Sequence, residues 1–281
     1  MVDGQLNKRV VFIIQARMKS TRLPGKVLLP IPINNGKPLI QWIIDEARNS
    51  KYCDALFVAT SKSEENNILE EYCNNHNINC IRGDEEDVLS RFILIIKDSE
   101  YTDVIRLTAD NPILDTASLD EAVEYHLKWM NDYTNTQGLP LGMNFEIVKK
   151  TALLNSVAYP LDQQEKEHVT LFIKRNNKFK KGTYSFSFAE WVSRLRLTID
   201  YATDYLVLSA VLGFSLQKNE SPSISLILEL FKSYPWIFET NSSNIQKRHF
   251  KGNEEFEYAI DLLKQFHMDN ASKLLKNAVE K

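Results

Sequence analysis

The chain has 281 residues, of which 43% are hydrophobic and 25% are charged, and its formal net charge is −3. That composition is ordinary for a globular protein with a sizeable core, and the length predicts one main domain with a smaller second element. A protein that neutralises many phosphates of a nucleic acid normally has a basic excess, so the net charge argues against nucleic-acid binding.

The first half of the chain alternates short β-branched runs with longer segments of helical period, which is typical of a parallel sheet with helices on both faces. The strands predicted from these runs cover residues 10–14, 56–60, 79–82 and 104–108. The helices predicted beside them cover residues 39–49, 64–75, 88–97 and 119–130. Ser118 and Glu121 have capping-box spacing, so we expect the last of these helices to begin at Ser118.

The regular alternation ends near residue 130. Further strands are predicted over residues 145–148, 184–188 and 195–199, with a helix over residues 165–175. From Asp204 onward the sequence is mainly helical, and one helix face is formed by Phe256, Ile260, Leu263 and Phe266. We therefore predict a main domain over residues 1–204, with an insert at about 132–190, and a helical C-terminal region over residues 205–281.

Neither the cysteines nor the N-terminal segment indicates a metal site or a targeting signal. Cys53, Cys73 and Cys80 share no CxxC spacing, so a structural zinc site is not expected. The N-terminus lacks the long apolar stretch of a signal peptide, and the apolar run at residues 10–14 is too short to span a bilayer. We therefore expect a cytoplasmic protein with reduced thiols that does not enter a membrane.

The loop after the first predicted strand, residues 15–26, has the sequence QARMKSTRLPGK and is called the basic loop below. In open α/β sheets ligands collect beyond the carboxyl ends of the strands, which is where this loop lies. Arginine can bind phosphate oxygens in a bidentate way, and lysine can act as a mobile point charge, so the loop predicts a triphosphate site. The alternative is a solvated basic loop. Neither the Walker pattern nor the GxGxxG pattern is present.

Residues 14–26, with the pattern Q-A-R-x-x-S-x-R-L-P-G-K, resemble the cytidylyltransferases. This family includes the acylneuraminate and 3-deoxy-manno-octulosonate enzymes, and the chain is most similar to its spore-coat polysaccharide branch. Further stretches agree in order, at residues 36–39 (GKPL), 82–84 (RGD), 87–91 (DVLSR), 106–112 (RLTADNP) and 167–170 (EHVT). The resemblance covers residues 9–205 and implies a Rossmann-like nucleotide-diphospho-sugar transferase fold, with a mostly parallel central sheet and helices on both faces.

The resemblance also implies roles for single residues around a nucleoside triphosphate, for which CTP is the expected identity. The nucleotide-binding residues implied in this way are Gln15, Ala16, Arg17, Ser20, Arg22, Lys26, Arg82, Ser90, Thr108 and Ala109. Arg17, Lys26 and Asp110 are the expected catalytic residues. For Arg82 and Ser90 the alternatives are an ordinary strand-end arginine and a solvated helix serine.

Asp110 and Asp200 each close a predicted strand, so their carboxylates should emerge at the sheet edge that carries the basic loop. Magnesium prefers one or two protein carboxylates, with phosphates and waters completing its shell. The resemblance implies the same two aspartates as Mg²⁺ ligands. The alternative is that each aspartate caps the segment that follows it. The acidic run at residues 84–87 is interpreted as a helix start with Asp87 as the N-cap, rather than a second metal site.

Acceptor recognition is expected in the insert, with Asn144, Glu146, His168 and Arg196 as the candidate contacts. The resemblance places His168 near a sugar, and the alternative is a structural or solvated histidine. Many relatives of the spore-coat branch carry P-x-G-L-D-x-E, whereas Asn144 stands here in place of the aspartate, which removes a charge and leaves the acceptor open. Arg196 and Lys174 are candidates for holding a carboxylate or phosphate.

These observations favour a magnesium-dependent nucleotidyltransferase, with residues 1–204 as its catalytic domain. An acceptor oxygen would attack the α-phosphorus of the triphosphate, and pyrophosphate would leave. The acceptor is expected to be a 2-keto sugar acid; the alternative is a sugar or polyol phosphate. Alternatives of another class are a glycosyltransferase, which normally shows a D-x-D pair that this sequence lacks, and a non-catalytic nucleotide-binding protein. The resemblance further suggests a homodimer with contacts around residues 139–188.

Overall fold

A computed structural model describes residues 8–245 and 253–279. The strands are β1 (Val10–Gln15), β2 (Pro30–Ile31), β3 (Lys37–Pro38), β4 (Ala55–Ser61), β5 (Asn79–Gly83), β6 (Asp103–Thr108), β7 (Tyr133–Gln137), β8 (Glu146–Lys149) and β9 (Lys181–Ser185). The helices are α1 (Leu39–Arg48), α2 (Asn67–Asn75), α3 (Val88–Ile96), α4 (Thr116–Trp129), α5 (Lys150–Ser156), α6 (Gln163–Glu167), α7 (Leu171–Arg175), α8 (Ala202–Lys218), α9 (Ile224–Ser233), α10 (Trp236–Glu239), α11 (Glu254–Gln265) and α12 (Asp269–Val279).

The main sheet has the strand order β5-β4-β1-β6-β8-β7-β9. The strands β5, β4, β1 and β6 run parallel to their neighbours, and β7 and β9 are also parallel to each other. Strand β8 pairs antiparallel with both β6 and β7, so it alone reverses the direction of the sheet among the described strands. The predicted α/β fold with a mostly parallel sheet is confirmed.

The sheet is buried on both faces because alternate residues of β1 enter two different hydrophobic clusters. Val10, Phe12 and Ile14 pack with apolar residues of α1, α4, α8 and α9. Val11 and Ile13 face the other way and pack with residues of α3 and α5. This burial explains why β1 reads as a continuous apolar run, as expected for a strand covered by helices on both sides.

The chain divides into two compact units, residues 1–243 and 244–281. The sequence predicts a boundary near residue 205, whereas the first unit extends to residue 243. Val207 and Leu208 of α8 and Ile227 of α9 belong to the same core as β1. In the second unit, α11 and α12 confirm the predicted helical C-terminal region, and Ser272 Oγ donates to Ile260 O at 3.2 Å. None of the described helices combines the length and apolar character needed to cross a membrane.

Strand β7 was absent from the sequence prediction. Its sequence, YTNTQ, shows no apolar alternation, yet Tyr133, Thr134 and Thr136 are buried. The hydroxyl of Thr134 is satisfied inside the protein, because Oγ1 accepts from Asn131 Nδ2 at 3.0 Å and lies 2.8 Å from His126 Nδ1. Buried threonines with internal partners therefore hide a strand from a hydrophobic pattern.

Other boundaries were also wrong. The helix α4 begins at Thr116, because Asp115 and not Ser118 is the N-cap, and its Oδ1 accepts the Ser118 N–H at 3.4 Å. The helix predicted over residues 165–175 is split into α6 and α7 by a turn at residues 168–170. The strand predicted at 184–188 occurs earlier in the chain, as β9, and that predicted at 145–148 is shifted by one residue, as β8.

The segment at residues 195–199 is not a strand. It forms one isolated parallel bridge, between Leu141 and Arg196. Its end turns towards β6 instead, because the Ile199 N–H donates to Asp110 O at 2.8 Å. This bend brings Asp200 next to the carboxyl end of β6.

Candidate active site

The basic loop is held in shape by hydrogen bonds to one backbone unit, Met18. The Met18 N–H donates to Asn66 Oδ1 at 2.8 Å, and Met18 O accepts the Gly25 N–H at 3.0 Å. Asn66 is only 1% exposed and is itself fixed by a 2.7 Å bond from Nδ2 to Ser61 Oγ. Gly25 has φ +70°, a conformation that favours glycine, and the 3-10 turn that follows begins with Lys26. The loop is therefore ordered by the connection between β4 and α2.

Lys26 lies between the two aspartates that the sequence predicts as metal ligands. Its Nζ is 3.5 Å from Asp110 Oδ2 and 3.3 Å from Asp200 Oδ1, and it also donates to Ile199 O. The side chains of Lys26 and Asp200 are 10% and 9% exposed, whereas Asp110 is 34% exposed. The structure thus brings these three predicted residues together at the carboxyl ends of β1 and β6.

Both oxygens of the Asp200 carboxylate carry a further cation. Arg22 Nη2 lies 2.8 Å from Oδ1, and its guanidinium is 4.7 Å from the Tyr201 ring centroid. Arg196 Nη2 lies 3.2 Å from Oδ2. Arg196 was predicted to contact the acceptor, but it is 5% exposed and is also paired with Asp204, so the structure assigns it to this ion-pair network.

These side chains form a compact ionic group, called the carboxylate cluster below. Its members are Lys26, Arg22, Arg196, Asp110, Asp200 and Asp204. Three cations balance three carboxylates, so the cluster as a whole carries no net charge. A cation pulled towards a phosphate would leave a carboxylate without its partner, and that carboxylate would then attract another cation.

The donor set of the cluster suits magnesium. Among residues 8–245 and 253–279, no three His, Cys, Asp or Glu side chains come together as a metal-binding group. Asp110 and Asp200 are instead a pair of carboxylates that share one nitrogen partner, Lys26 Nζ. Magnesium is commonly held by one or two carboxylates together with substrate phosphates and waters, so this pair fits such an ion.

The ends of β1 and β6 place further predicted nucleotide-binding residues in register. Gln15 and Thr108 are partners across the two strands, and the Ala109 N–H donates to Gln15 O at 3.0 Å. On the other side, the Ala16 N–H donates to Ala59 O at 3.1 Å. Asp110 directly follows Ala109, so these residues lie beside the carboxylate cluster.

Arg17 and Ser20 lie on the basic loop outside the cluster. Arg17 is exposed. Burial lowers the pKa of Arg91 in α3, and the positive charge of Arg17 lowers it further. Ser20 Oγ accepts the Leu23 N–H at 3.3 Å, so it shapes the loop.

Arg82 makes structural contacts with the segment between β4 and α2. Its guanidinium donates to Ser61 O (3.0 Å), Ser63 O (2.8 Å), Asn67 Oδ1 (2.8 Å) and Glu70 Oε2 (2.7 Å). The same segment carries Asn66, which holds the basic loop at Met18. The contacts of Arg82 thus fit the alternative interpretation, in which it stabilises the loop framework.

Ser90 likewise has partners within its own helix. Its N–H donates to Asp87 Oδ1 at 2.8 Å, and its Oγ donates to Asp87 O at 2.7 Å. Asp87 is the N-cap of α3, which confirms the interpretation of the acidic run as a helix start.

A cavity of about 570 Å³ opens beside the cluster at the carboxyl end of β6. Thr108 and Asn111, which flank Asp110, are part of its lining. The charged side chains that line it are Arg106, Glu146, Lys174 and Lys181. Three cations and one carboxylate therefore face this space, which favours an anionic occupant.

Glu146, a predicted acceptor contact, has its oxygens occupied by protein donors. Oε1 accepts from Tyr133 Oη at 2.8 Å and pairs with Lys174, while Oε2 pairs with Arg106 at 2.7 Å and accepts from Thr170 Oγ1 at 2.9 Å. Burial alone would raise the pKa of Glu146, but Arg106 and Lys174 lower it to about 2. Glu146 thus holds two cations at the cavity wall.

Asn144 also lines the cavity, and its amide closes the loop before β8. Nδ2 donates to Leu139 O at 3.1 Å and to Pro140 O at 3.2 Å, while Oδ1 accepts from Thr136 Oγ1 at 3.3 Å. An aspartate has no donor for the two carbonyl groups. Asparagine at this position therefore supports the shape of the loop as well as removing a charge.

The His168 segment approaches the cavity through its neighbours. His168 ends α6 and is not among the described side chains that line the cavity. Val169 has φ +49° although it is β-branched and fully buried, a strained conformation that costs about 1–3 kcal/mol. Thr170, which follows, is tied to Glu146. The motif EHVT thus reaches the cavity only indirectly, through the hydrogen bond from Thr170 to the lining residue Glu146.

Several residues of the site were missed by sequence reasoning. Arg106 gives a local signal, since a charged side chain interrupts the buried strand β6. Lys181 is the first residue of β9 and lies next to basic neighbours that read as solvated charge. Asn66 and Asp204 give no local signal, because their partners are distant or belong to an irregular segment.

A family model described as cytidylyltransferase matches residues 11–273. The spore coat polysaccharide biosynthesis protein SpsF of Bacillus subtilis (strain 168) is 37% identical over 226 residues, which cover 77% of this chain and 90% of that protein. An 8-amino-3,8-dideoxy-manno-octulosonate cytidylyltransferase of Shewanella frigidimarina is 28% identical over 148 residues, covering 52% of this chain and 56% of that protein. The structure of a cytidylyltransferase from Leptospira borgpetersenii aligns with a TM-score of 0.75 at 28% identity, covering 86% of this chain and 100% of that one.

Proposed function

The chain belongs to the cytidylyltransferase family, and from this premise we propose that it transfers the cytidylyl group of CTP to a hydroxyl of an acidic sugar, for the assembly of a cell-surface polysaccharide or glycoconjugate. One observation carries the proposal. Lys26 Nζ contacts both Asp110 and Asp200 near the carboxyl ends of the adjacent strands β1 and β6, beside a cavity whose charged lining is mainly cationic.

The reaction joins the acceptor oxygen to the α-phosphorus and breaks the bond to pyrophosphate, while the hydroxyl proton passes to solvent. Lys26 and Arg22 exchange their contacts with Asp200 for contacts with triphosphate oxygens. Arg17, exposed on the same loop, adds a third cation. These residues act by positioning the triphosphate and neutralising its charge, which are the main needs of such transfers.

Asp110 and Asp200 are the proposed ligands of a magnesium ion. The exchange of Lys26 and Arg22 towards the phosphates leaves negative charge on Asp200 and Asp110, and this charge suits a divalent cation. When bound, magnesium would neutralise charge on the α-phosphate and on the leaving pyrophosphate.

The acceptor is proposed to bind in the 570 Å³ cavity, whose size is typical of small-molecule sites. The cavity lining carries more positive than negative charge, because Glu146 is the single carboxylate beside Arg106, Lys174 and Lys181. An acceptor with a carboxylate or phosphate is therefore favoured over a neutral sugar. The Shewanella relative named above acts on a sugar acid by its description, which favours the carboxylate.

We also propose a cytoplasmic homodimer whose contact lies in the insert at residues 139–188. Strand β9 of this insert is the edge strand of the described sheet, so its outer side is available for a second copy. Light scattering that shows only monomer at micromolar concentration would contradict the dimer.

Pyrophosphate release tests the activity directly. The four common nucleoside triphosphates are each tested with 2-keto sugar acids, sugar phosphates and neutral sugars, and we expect release with CTP and a sugar acid. Release that requires a sugar phosphate would show that the acceptor is not a sugar acid. Equal release with every triphosphate would contradict the choice of CTP.

Lys26→Ala, with Lys19→Ala as its control in the same loop, tests the phosphate site. Lys19 is exposed, whereas Lys26 is held by Asp110 and Asp200. We expect Lys26→Ala to lower turnover at subsaturating CTP by more than about tenfold, while Lys19→Ala changes it little. Equal effects of the two changes would show that only the general charge of the loop matters.

A further inference from the structure

The segment that follows α10 reaches the carboxylate cluster through one buried side chain. Asn241 is fully buried, and its Nδ2 donates to Asp204 Oδ1 at 2.9 Å and to Arg196 O at 3.0 Å. In sequence, Asn241 lies far from the basic loop and from Asp110. Its amide nevertheless contacts Arg196 and Asp204, which both bind Asp200.

The contacts continue from Asn241 to Asp200. Asp204 receives Arg196 in a bidentate arrangement, with Nε 2.8 Å from Oδ1 and Nη2 3.1 Å from Oδ2. Arg196 Nη2 then lies 3.2 Å from Asp200 Oδ2. Asp204 Oδ2 also accepts the backbone N–H groups of Asp200 and Tyr201, both at 2.9 Å. The orientation of the Asp200 carboxylate therefore depends on where Asp204 and Arg196 are held.

Packing alone does not explain an asparagine at this position. The Asn241 Oδ1 atom is buried and has no hydrogen-bond partner among the described residues. Burial of an unpaired carbonyl oxygen is unfavourable, and a leucine of similar shape would avoid it. The two hydrogen bonds donated by Nδ2 are the interactions that favour the amide.

We propose that Asn241 is a positioning residue, which fixes Asp204 and Arg196 so that the Asp200 carboxylate faces Lys26 and Arg22. The inference rests on the proposed role of Asp200 in holding a divalent cation with the triphosphate. The segment that contains Asn241 would then belong to the active site, whereas the sequence predicts it as part of a separate C-terminal region.

Binding of Mn²⁺ together with a non-hydrolysable CTP analogue, measured by electron paramagnetic resonance without acceptor, tests the proposal. We expect Asn241→Leu to weaken Mn²⁺ binding about tenfold, because the carboxylate that receives the ion is no longer fixed. In turnover assays, the KM for the acceptor should stay close to that of the wild type. Wild-type Mn²⁺ affinity in Asn241→Leu would overturn the proposal.

Phe238→Leu is the matched structural control. Phe238 is buried in α10 with its ring centroid 5.5 Å from that of Phe231, so the change loosens the same segment without removing the amide. A loss of Mn²⁺ affinity equal to that of Asn241→Leu would show a merely structural effect and overturn the proposal. Asp200→Asn separates the two levels. If it binds Mn²⁺ as the wild type does, the proposed metal role fails; if it binds weakly while Asn241→Leu binds normally, only the positioning role fails.

Discussion

Glu146→Gln removes one negative charge from the wall of the cavity while keeping the shape of the side chain. In the folded protein Glu146 is 14% exposed, and burial would raise its pKa, but Arg106 and Lys174 lower it from 4.5 to about 2. A shift of that size corresponds to about 3 kcal/mol of interaction with the charged form. We therefore expect Glu146→Gln to lower the free energy of unfolding by about 3 kcal/mol at neutral pH.

The pH dependence of this effect follows from the direction of the shift. Because the folded pKa of Glu146 lies below the unfolded value, its contribution is fully present above pH 4.5 and is lost as the pH falls towards about 2. The difference in unfolding free energy between the wild type and Glu146→Gln should therefore shrink across that window. Urea unfolding at a series of pH values measures this difference.

Glu190→Gln provides the control. Glu190 pairs with Arg194 on the surface, where the two side chains are 82% and 72% exposed, so its removal should change stability little at any pH. A stability difference for Glu146→Gln that is small at neutral pH, or that does not shrink with acid, would refute the role of the ion pairs with Arg106 and Lys174. Because those cations also line the cavity, the KM for the acceptor should change as well.

Further predictions concern the nucleotide side of the site. Asp110→Asn keeps the shape and capping capacity of the side chain but removes its charge, so turnover should fall by more than about a hundredfold with an intact circular dichroism spectrum; near wild-type turnover at low magnesium would exclude the metal role. Asn66→Ala removes the side-chain acceptor of the Met18 N–H that helps to hold the basic loop, so the KM for CTP should rise about tenfold while the KM for the acceptor stays unchanged. Removal of divalent cations with EDTA should weaken binding of CTP, measured by calorimetry, because phosphates then compete with Asp200 for Lys26 without compensation; unchanged affinity would contradict that competition.

The parts of the fold that follow from the sequence are those with local periodic signals. Strand β1 reads as an apolar run because its residues are buried on both faces, and the basic loop follows it as expected for a ligand site. The meeting of Lys26 and Asp110 also follows, since β1 and β6 are parallel neighbours whose carboxyl ends share one edge. Strand β7 could not be found in this way, because its buried threonines satisfy their hydroxyl groups internally.

The role of Arg196 shows why the rest of the site was beyond sequence reasoning. An arginine can face a ligand or a carboxylate, and its own neighbours in sequence do not decide between them. Here the position of Arg196 is determined by Asp204, which lies in the first turn of α8, and by Asn241, which lies two helices further along the chain. Both are brought to Arg196 by the packing of α8, α9 and α10 on the core. The orientation of Asp200 is consequently a property of the tertiary structure, although the aspartate itself could be identified from its place after a strand-like run.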